Sequence, residues 1–374
     1  MDVISPDDER HMRRALAIAA SGRGFVEPNP MVGAVVLDAN GAVVGEGFHG
    51  RFGGPHAEVN ALDVAGPAAR GGTLFVTLEP CCHTGKTPPC TGAVLKSGVR
   101  RVVVAMADPF PAIAGGGLKI LRDNGLSVDV GLCETEAEKL NAPYRMLLKH
   151  RRPWVIAKWA MSLDGKIATR RGDSKWISNE LSRAKVHELR GRVDAILVGR
   201  GTLLADDPLL TARPAGARIA ARIVVTACGE LPETCQLLAT VARAPVIVAT
   251  TTAGATKLAA WRNAGVEILG IDGPMIPGLL AELGRRRMTN VLLEGGAGLL
   301  GSFRDVDAID EVHAYIAPVL IGGDNALSPL GGLGVSAMVE AERFADVSVE
   351  VLNGDTWIAA RRGDIGMTNR IQFE

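Results

Sequence analysis

Three side chains able to bind a soft metal are spaced around one carboxylate. His56-Ala57-Glu58 is followed by Pro80-Cys81-Cys82-His83-Thr84-Gly85-Lys86-Thr87-Pro88-Pro89-Cys90. A structural zinc site closes its shell with four protein ligands, whereas a catalytic one takes three and keeps the fourth place for water. One His and two separated Cys fit the second arrangement. Zinc lowers the pKa of such a water to near neutrality. Glu58, two residues after the His, is then a proton carrier between that water and a leaving group. Adjacent residues in a turn point apart, so Cys82 is expected to stay off the metal. Cys133, Cys228 and Cys235 have no partner pattern and are expected to serve packing.

Such a cluster needs rigid elements around it. The chain has 374 residues, too many for one typical core, so two domains are expected. Hydrophobic residues make up 47%, which suits a globular protein and excludes disorder. Lys+Arg and Asp+Glu are equal at 41 each, which argues against a dedicated nucleic-acid binder. No apolar run approaches the ~18 residues of a membrane span. The stretch from Met1 to Glu9 is acidic and lacks the apolar core of a secretory leader. In that setting clustered Cys favour metal binding over disulfides, and the cytoplasm is the expected location.

The first 150 residues read as alternating helix and strand. Asp7 or Asp8 is expected to cap a helix running to Ala20. Strands Gly33–Leu37 and Val43–Gly47 flank the turn signal Asn40-Gly41. A helix over Ala57–Ala65 carries His56 at its start. Strand Thr73–Leu78, helix Thr91–Lys96, strand Val102–Met106, helix Leu118–Asp123 and strand Ser127–Gly131 follow, in a three-layer α/β domain. Glu134–His150 reads as one charged helix, and Lys149–Pro153 as the domain boundary. Beyond it come strand Val155–Ala160, helix Glu180–Leu189 capped by Ser178 or Asn179, and strands Ala195–Val198 and Arg222–Thr226. Strands Val246–Ala249, Glu267–Leu269, Asn290–Leu293, Glu311–Ile316 and Val347–Val351 complete the sheet. The tail after Asp364 carries no strong signal.

The H-x-E and P-C arrangement is the signature of zinc deaminases that act on nucleobases. Most of those enzymes have two residues between the cysteines; here there are eight, Cys82 to Pro89. His83 and Lys86 in that loop could meet an anionic substrate. With Pro28-Asn29-Pro30-Met31-Val32-Gly33 and Asp108-Pro109, this half resembles the deaminase half of the bifunctional deaminase-reductase family of riboflavin biosynthesis. The resemblance implies that His56, Cys81 and Cys90 bind zinc and that Glu58 is the proton donor. It implies substrate contacts at Asn29, His49, His83, Lys86 and Asp108. Phe110 departs from the family's usual Asn, and Tyr144 from a more usual Phe.

The second half opens with Trp154-Val-Ile-Ala-Lys158-Trp-Ala-Met-Ser162-Leu-Asp164-Gly165-Lys166. Ser174-Lys175-Trp176, Gly199-Arg200-Gly201-Thr202 and Ala205-Asp206-Asp207-Pro208-Leu209-Leu210-Thr211-Ala212-Arg213 follow, and later Leu293-Glu294-Gly295-Gly296-Ala297-Gly298. A glycine cluster between a strand and a helix suits a dinucleotide pyrophosphate, although such turns also occur as plain connections. In combination these segments resemble the reductase half of the same family, whose fold is like dihydrofolate reductase. The resemblance covers roughly residues 7 to 360. It implies that Ala160, Trp176, Thr202, Asp206, Gly296, Ala297, Gly298, Leu299, Leu300, Gly301 and Ser302 lie along NADPH. Ser174, Arg190, Leu210, Arg213 and Glu294 would face the substrate. The two arginines, permanently charged and fork-shaped, are credible phosphate ligands. Ala227 stands where the family often has Ser.

The expected organisation is therefore a zinc-dependent deaminase domain over residues 1–150 and an NADPH-dependent reductase domain over 151–374. The former is cytidine-deaminase-like and the latter dihydrofolate-reductase-like. Expected partners are Zn2+, NADPH and a small phosphoribosyl pyrimidine, with no nucleic acid and no membrane, in a homo-oligomer. Two other readings stay open: a nucleoside or tRNA deaminase with an accessory C-terminal domain, and a zinc-stabilised binding module. The module would need a fourth ligand, Cys82 or His83.

Overall fold

Ser5 starts the first helix, α1 (Pro6–Ala19), in a computed structural model that describes residues 5–110 and 113–363. The expectation for the tail after Asp364, and part of that for the first residues, lie outside this range. The Ser5 hydroxyl accepts from the Asp8 amide at 3.1 Å, and the Asp8 carboxylate accepts from the Ser5 amide at 2.9 Å. This capping box corrects the expected cap at Asp7 or Asp8. Pro6 fits the first helical position, where a missing N–H costs nothing, so the cap falls on the residue before it. Asp8 instead also reaches Arg101, at 3.0 Å. The chain divides into two units, Met1–Lys149 and His150–Glu374.

In the first unit β1 (Gly33–Leu37), β2 (Val43–Phe48), β3 (Thr73–Val76), β4 (Arg101–Val104) and β5 (Ser127–Val130) form one sheet in the order β2-β1-β3-β4-β5. β1 pairs antiparallel with β2 and β3, while β3, β4 and β5 are parallel. Helices α2 (Ala57–Ala65), α3 (Cys90–Ser97) and α4 (Gly116–Asp123) complete the layers. Glycines set how closely helices approach. A Cβ on Gly33 would lie 2.1 Å from the Ala15 carbonyl oxygen, and one on Gly45 2.2 Å from that of Ala61. Gly33 pairs with Phe48 and Gly45 with Val36, three residues from Gly33, so the two glycines point to opposite faces. α1 and α2 therefore sandwich the sheet.

The single helix expected over Glu134–His150 is two, α5 (Glu134–Leu140) and α6 (Ala142–His150). Pro143 cannot sit inside a continuous helix. Asn141 occupies the break and is put to use there. Its side chain accepts from the Met31 amide at 2.8 Å and donates to the Met31 carbonyl at 3.0 Å.

The second unit holds a nine-stranded sheet. Its strands are β6 (Trp154–Ser162), β7 (Ala195–Gly199), β8 (Ala221–Val225), β9 (Val246–Thr251), β10 (Glu267–Ile271), β11 (Asn290–Leu293), β12 (Glu311–Ala317), β13 (Phe344–Leu352) and β14 (Asp355–Arg362). The order is β10-β9-β8-β7-β11-β6-β12-β14-β13, parallel as far as β12 and antiparallel in the last two joins. β8 is buried along its whole length, and β7 and β11 along all but one residue, as covering on both faces requires. Helix α7 (Glu180–Arg190) is capped by Asn179, and α8 (Arg200–Asp206) follows β7. β14 was not expected. Asn353 and Gly354, both at positive φ, make the two-residue turn that folds it back between β12 and β13. The Val347–Val351 run thus belongs to an edge strand.

One buried carboxylate positions the metal-ligand loop. Glu79, only 3% exposed, precedes Pro80 and Cys81. It accepts backbone N–H groups from Asp108 (3.2 Å), Gly115 (3.0 Å), Gly117 (2.9 Å) and Leu118 (3.2 Å). Two of these are amides of the first turn of α4, which have no partner within the helix. Glu79→Gln would turn an amide against those donors. It should lower stability by about 2–4 kcal/mol. Urea unfolding measures this, and an unchanged midpoint would contradict the role.

Candidate active sites

The first site forms where two helices begin. His56 is the residue before α2, Cys90 is the first residue of α3, and Cys81 follows β3. Their ligand atoms all lie within 4.8 Å of one another. His56 Nδ1 is 3.2 Å from Cys90 Sγ and 3.5 Å from Cys81 Sγ. The Cys90 amide, at the positive end of α3, donates to Cys81 Sγ at 3.3 Å. Hydrogen bonding from Cys90 pulls the Cys81 thiol down to about 4, with His56 adding to the effect. Facing that charge, the Cys90 thiol is pushed up. A cation is what allows both sulfurs to be thiolates at once, because a coordinating thiol is deprotonated outright. Two thiolates and an imidazole are a donor set that suits zinc.

Glu58 lies in the first turn of α2 and is 3% exposed. Burial pushes its carboxyl up to about 7. Its Oε2 has no hydrogen-bond partner among the described residues. His49 is buried with its ring centroid 5.1 Å from that of His56. Its Nδ1 donates to the Pro55 carbonyl at 3.0 Å, which leaves Nε2 as an acceptor, also unpartnered. Two orphaned polar atoms beside the ligands mark where substrate chemistry fits.

The other expected residues are spread around this centre. Asp108 is buried just after β4, its Oδ1 taking the Phe110 amide at 2.9 Å and the Tyr144 hydroxyl at 3.1 Å. Burial raises its carboxyl to about 6. Asn29 is half-buried in the loop before β1. His83 and Lys86 are exposed. The His83 ring lies 6.3 Å from that of Phe110, and Lys86 Nζ sits 4.0 Å over the Phe52 ring. Phe110 packs against Cys81, Cys90 and Ile113, so it is part of the wall beside the ligands. Among the described residues Cys82 and His83 stand outside the ligand cluster. A Cβ on Gly116 would meet Cys82 Sγ at 3.0 Å, which shows where that thiol points. The fourth-ligand expectation of a zinc-stabilised module is not met. Cys228, expected to pack, is exposed.

The second site lies at the carboxyl ends of parallel strands, where open α/β sheets bind ligands. Glu294 follows β11 and is forked by Arg190, with Nε–Oε1 2.6 Å and Nη2–Oε2 2.7 Å. Arg213 is exposed, and Ser174 is half-buried. Leu210 is buried at φ +50, a strained position for a branched side chain. On the cofactor side, the Thr202 hydroxyl accepts from the Gly296 amide at 2.9 Å. That contact ties α8 to the start of helix Ala297–Asp305. Asp206 pairs with Lys175 at 3.8 Å. Ala160 is half-buried on β6, and Trp176 is 71% exposed with Arg183 stacked 4.8 Å from its ring.

The run from Gly296 to Ser302 divides by face. Ala297 and Gly298 open the helix, and a Cβ on Gly298 would meet nothing within 4 Å. Leu299 packs on Gly199 and Gly295, Leu300 is in the core, and Gly301 abuts the Gly331 backbone. Ser302 Oγ donates to the Gly298 carbonyl at 2.9 Å. The Leu300 side chain and the Gly301 backbone thus serve packing.

Sequence reasoning passed over Lys158. It lies in the middle of β6, half-buried, and burial lowers its pKa while Glu294 and Asp206 oppose that shift. A lysine inside an apolar strand was the available signal. Glu79 and His187 were also passed over, since their partners lie far away in sequence or on backbone atoms.

Residues 5–106 match the cytidine and deoxycytidylate deaminase zinc-binding region, and residues 153–358 match the RibD C-terminal domain. The chain is 41% identical to the riboflavin biosynthesis protein RibD of Aquifex aeolicus, over 96% of this chain and 100% of that one. It is 39% identical to RibD of Actinobacillus pleuropneumoniae, over 93% of each. Among solved structures, it is similar to a diaminohydroxyphosphoribosylaminopyrimidine deaminase/5-amino-6-(5-phosphoribosylamino)uracil reductase of Thermotoga maritima. The TM-score is 0.84 at 38% identity, over 95% of this chain and 98% of that one. Acinetobacter baumannii RibD gives 0.83 at 35%, with the same coverage. The two units carry the cytidine-deaminase-like and dihydrofolate-reductase-like folds implied by the sequence. The chain, which gathers His56, Cys81 and Cys90 in its first unit and pairs Arg190 with Glu294 in its second, belongs to the RibD family of riboflavin biosynthesis proteins.

Proposed function

We propose that this chain performs two consecutive steps of riboflavin biosynthesis. The first is hydrolytic deamination of the diaminopyrimidinone ribotide. The second is reduction of its ribosyl group to ribityl by NADPH. The observation that carries this reading is the coexistence of an unpartnered, buried Glu58 oxygen beside a three-ligand cluster with a buried Arg190–Glu294 pair at a strand end of the second unit. The solved relative from Thermotoga maritima is named for both activities.

In the first site His56, Cys81 and Cys90 would hold zinc, which would supply electrostatic activation of a water. Glu58 Oε2 receives a proton and passes it to the departing amine. His49 Nε2 accepts a substrate N–H, because its Nδ1–H is fixed on Pro55. Asp108 is held in place by Tyr144 and the Phe110 amide to meet the ring. In the second site the nicotinamide cofactor supplies hydride when bound. The free amides opening helix Ala297–Asp305 face its phosphates, and Thr202 holds that turn still. Arg213 takes the substrate phosphate. Thiolate ligands and a reduced cofactor both suit the cytoplasm. Among the described residues no helix is long and apolar enough to cross a membrane.

A homo-oligomer completes the reading. Edge strand β13 exposes Val347, Val349 and Val351, at 58%, 63% and 71%, along one face. An apolar edge of this kind favours pairing with another chain.

Purified protein given the diaminopyrimidine ribotide should release ammonia and oxidise NADPH faster than NADH. Glu58→Gln should cut ammonia release by about 10²–10⁴-fold, with zinc content by elemental analysis unchanged. Ammonia release at the original rate would sink the proton-carrier role. Light scattering should give a mass above one chain, reduced by Val349→Lys. A monomer at micromolar concentration contradicts the oligomer.

A further inference from the structure

Two arginines reach the second site, and the structure treats them differently. Arg190 is engaged by Glu294 through Nε and Nη2, while its Nη1 lies 3.4 Å from the Thr211 carbonyl. Its charge is matched within the protein. Arg213, on the exposed loop, points its Nη2 at His187 Nε2, 3.4 Å away. His187 is half-buried on α7, one turn before Arg190.

The tautomer of His187 follows from its other contact. Nδ1 lies 3.2 Å from the Thr211 carbonyl oxygen, which only accepts, so Nδ1 carries the proton. In the neutral ring Nε2 is then a lone pair, directed at a guanidinium. An anionic oxygen arriving between the two groups meets a donor on Arg213 and a lone pair on His187. It can hydrogen-bond to both only when Nε2 is protonated.

We propose that His187 is a phosphate-binding residue of this site, pairing with Arg213 to hold the phosphate of the substrate and taking up one proton from solvent as it binds. This rests on the reading of the second unit as a site for a phosphoribosyl substrate. The groups that face the ring are Arg190 from its own helix, Arg213 and the Thr211 carbonyl from the loop, and Glu294 after β11. In the free protein burial, then Arg190 and Arg213, hold the imidazole below its usual value, against the Thr211 carbonyl and Glu294. A bound dianion reverses that balance, so the free ring is neutral near pH 7 and the liganded ring is charged.

Sulfate is the probe, because it stays a dianion throughout the range used. Its affinity is measured by calorimetry at saturating NADPH, so that the cofactor's own phosphate subsites are filled. In the unaltered protein the dissociation constant should rise about tenfold per pH unit from roughly pH 6.5 to 8, the slope for uptake of one proton. In His187→Asn, whose amide can keep the Thr211 contact, the slope should vanish. His187→Gln is the second variant should the first be unstable. A flat profile in the unaltered protein, or an undiminished slope in either variant, overturns the proposal. Arg213→Met separates this from the underlying reading: lost sulfate binding keeps the phosphate site, and undiminished binding overturns both.

Discussion

A carboxylate withdrawn from water at the end of a strand must find donors, and that requirement organises both halves of this protein. Glu79, after β3, finds four backbone amides and so locks the cysteine loop to Asp108 and α4. Glu294, after β11, finds the fork of Arg190. Asp310, before β12, takes Arg152 at 2.6 and 2.8 Å together with the Val155 amide at 2.8 Å, and so pins the start of β6. Each of these carboxylates has few ways to be satisfied. The strand ends that carry chemistry are therefore held in one arrangement.

Against this background the exceptions are informative. Glu58 and His49 are as buried as Glu79, yet each keeps one polar atom unpartnered. Other buried atoms, Arg222 Nε and Thr289 Oγ1 among them, are unpartnered too, and each is costly. Those of Glu58 and His49 lie beside the metal ligands. The second site shows the opposite economy of charge. Arg190 and Glu294 neutralise one another, while Arg213 lies against His187, one turn before Arg190.

Much of this was legible in the chain itself. The clustering of His56, Cys81 and Cys90 was readable from residue type and from local spacing at helix starts. Most strands were readable from apolar runs with turn residues between them. The failures differ in cause. The break at Asn141 follows from Pro143, and only its bond to Met31, 110 residues away, depends on the fold. β14 was missed because its place between β12 and β13 depends on pairing, although Asn353-Gly354 marked the turn. The helix cap moved from Asp7 or Asp8 to Ser5 because Pro6 accepts the first helical position.

The sequence by itself determined the groups available to this protein: a soft-metal triad with a carboxylate beside it, and a glycine-opened helix after an apolar strand. Those properties are carried by covalent identity and by separations of a few residues, which a helix start or a turn converts directly into proximity. Only the tertiary structure decided which polar groups are satisfied and which are left to act. Arg190 meets Glu294 across 104 residues, and Tyr144 meets Asp108 across 36. A hydrogen bond forms within about 3 Å, and which distant groups come that close is settled by the packing of sheets and helices.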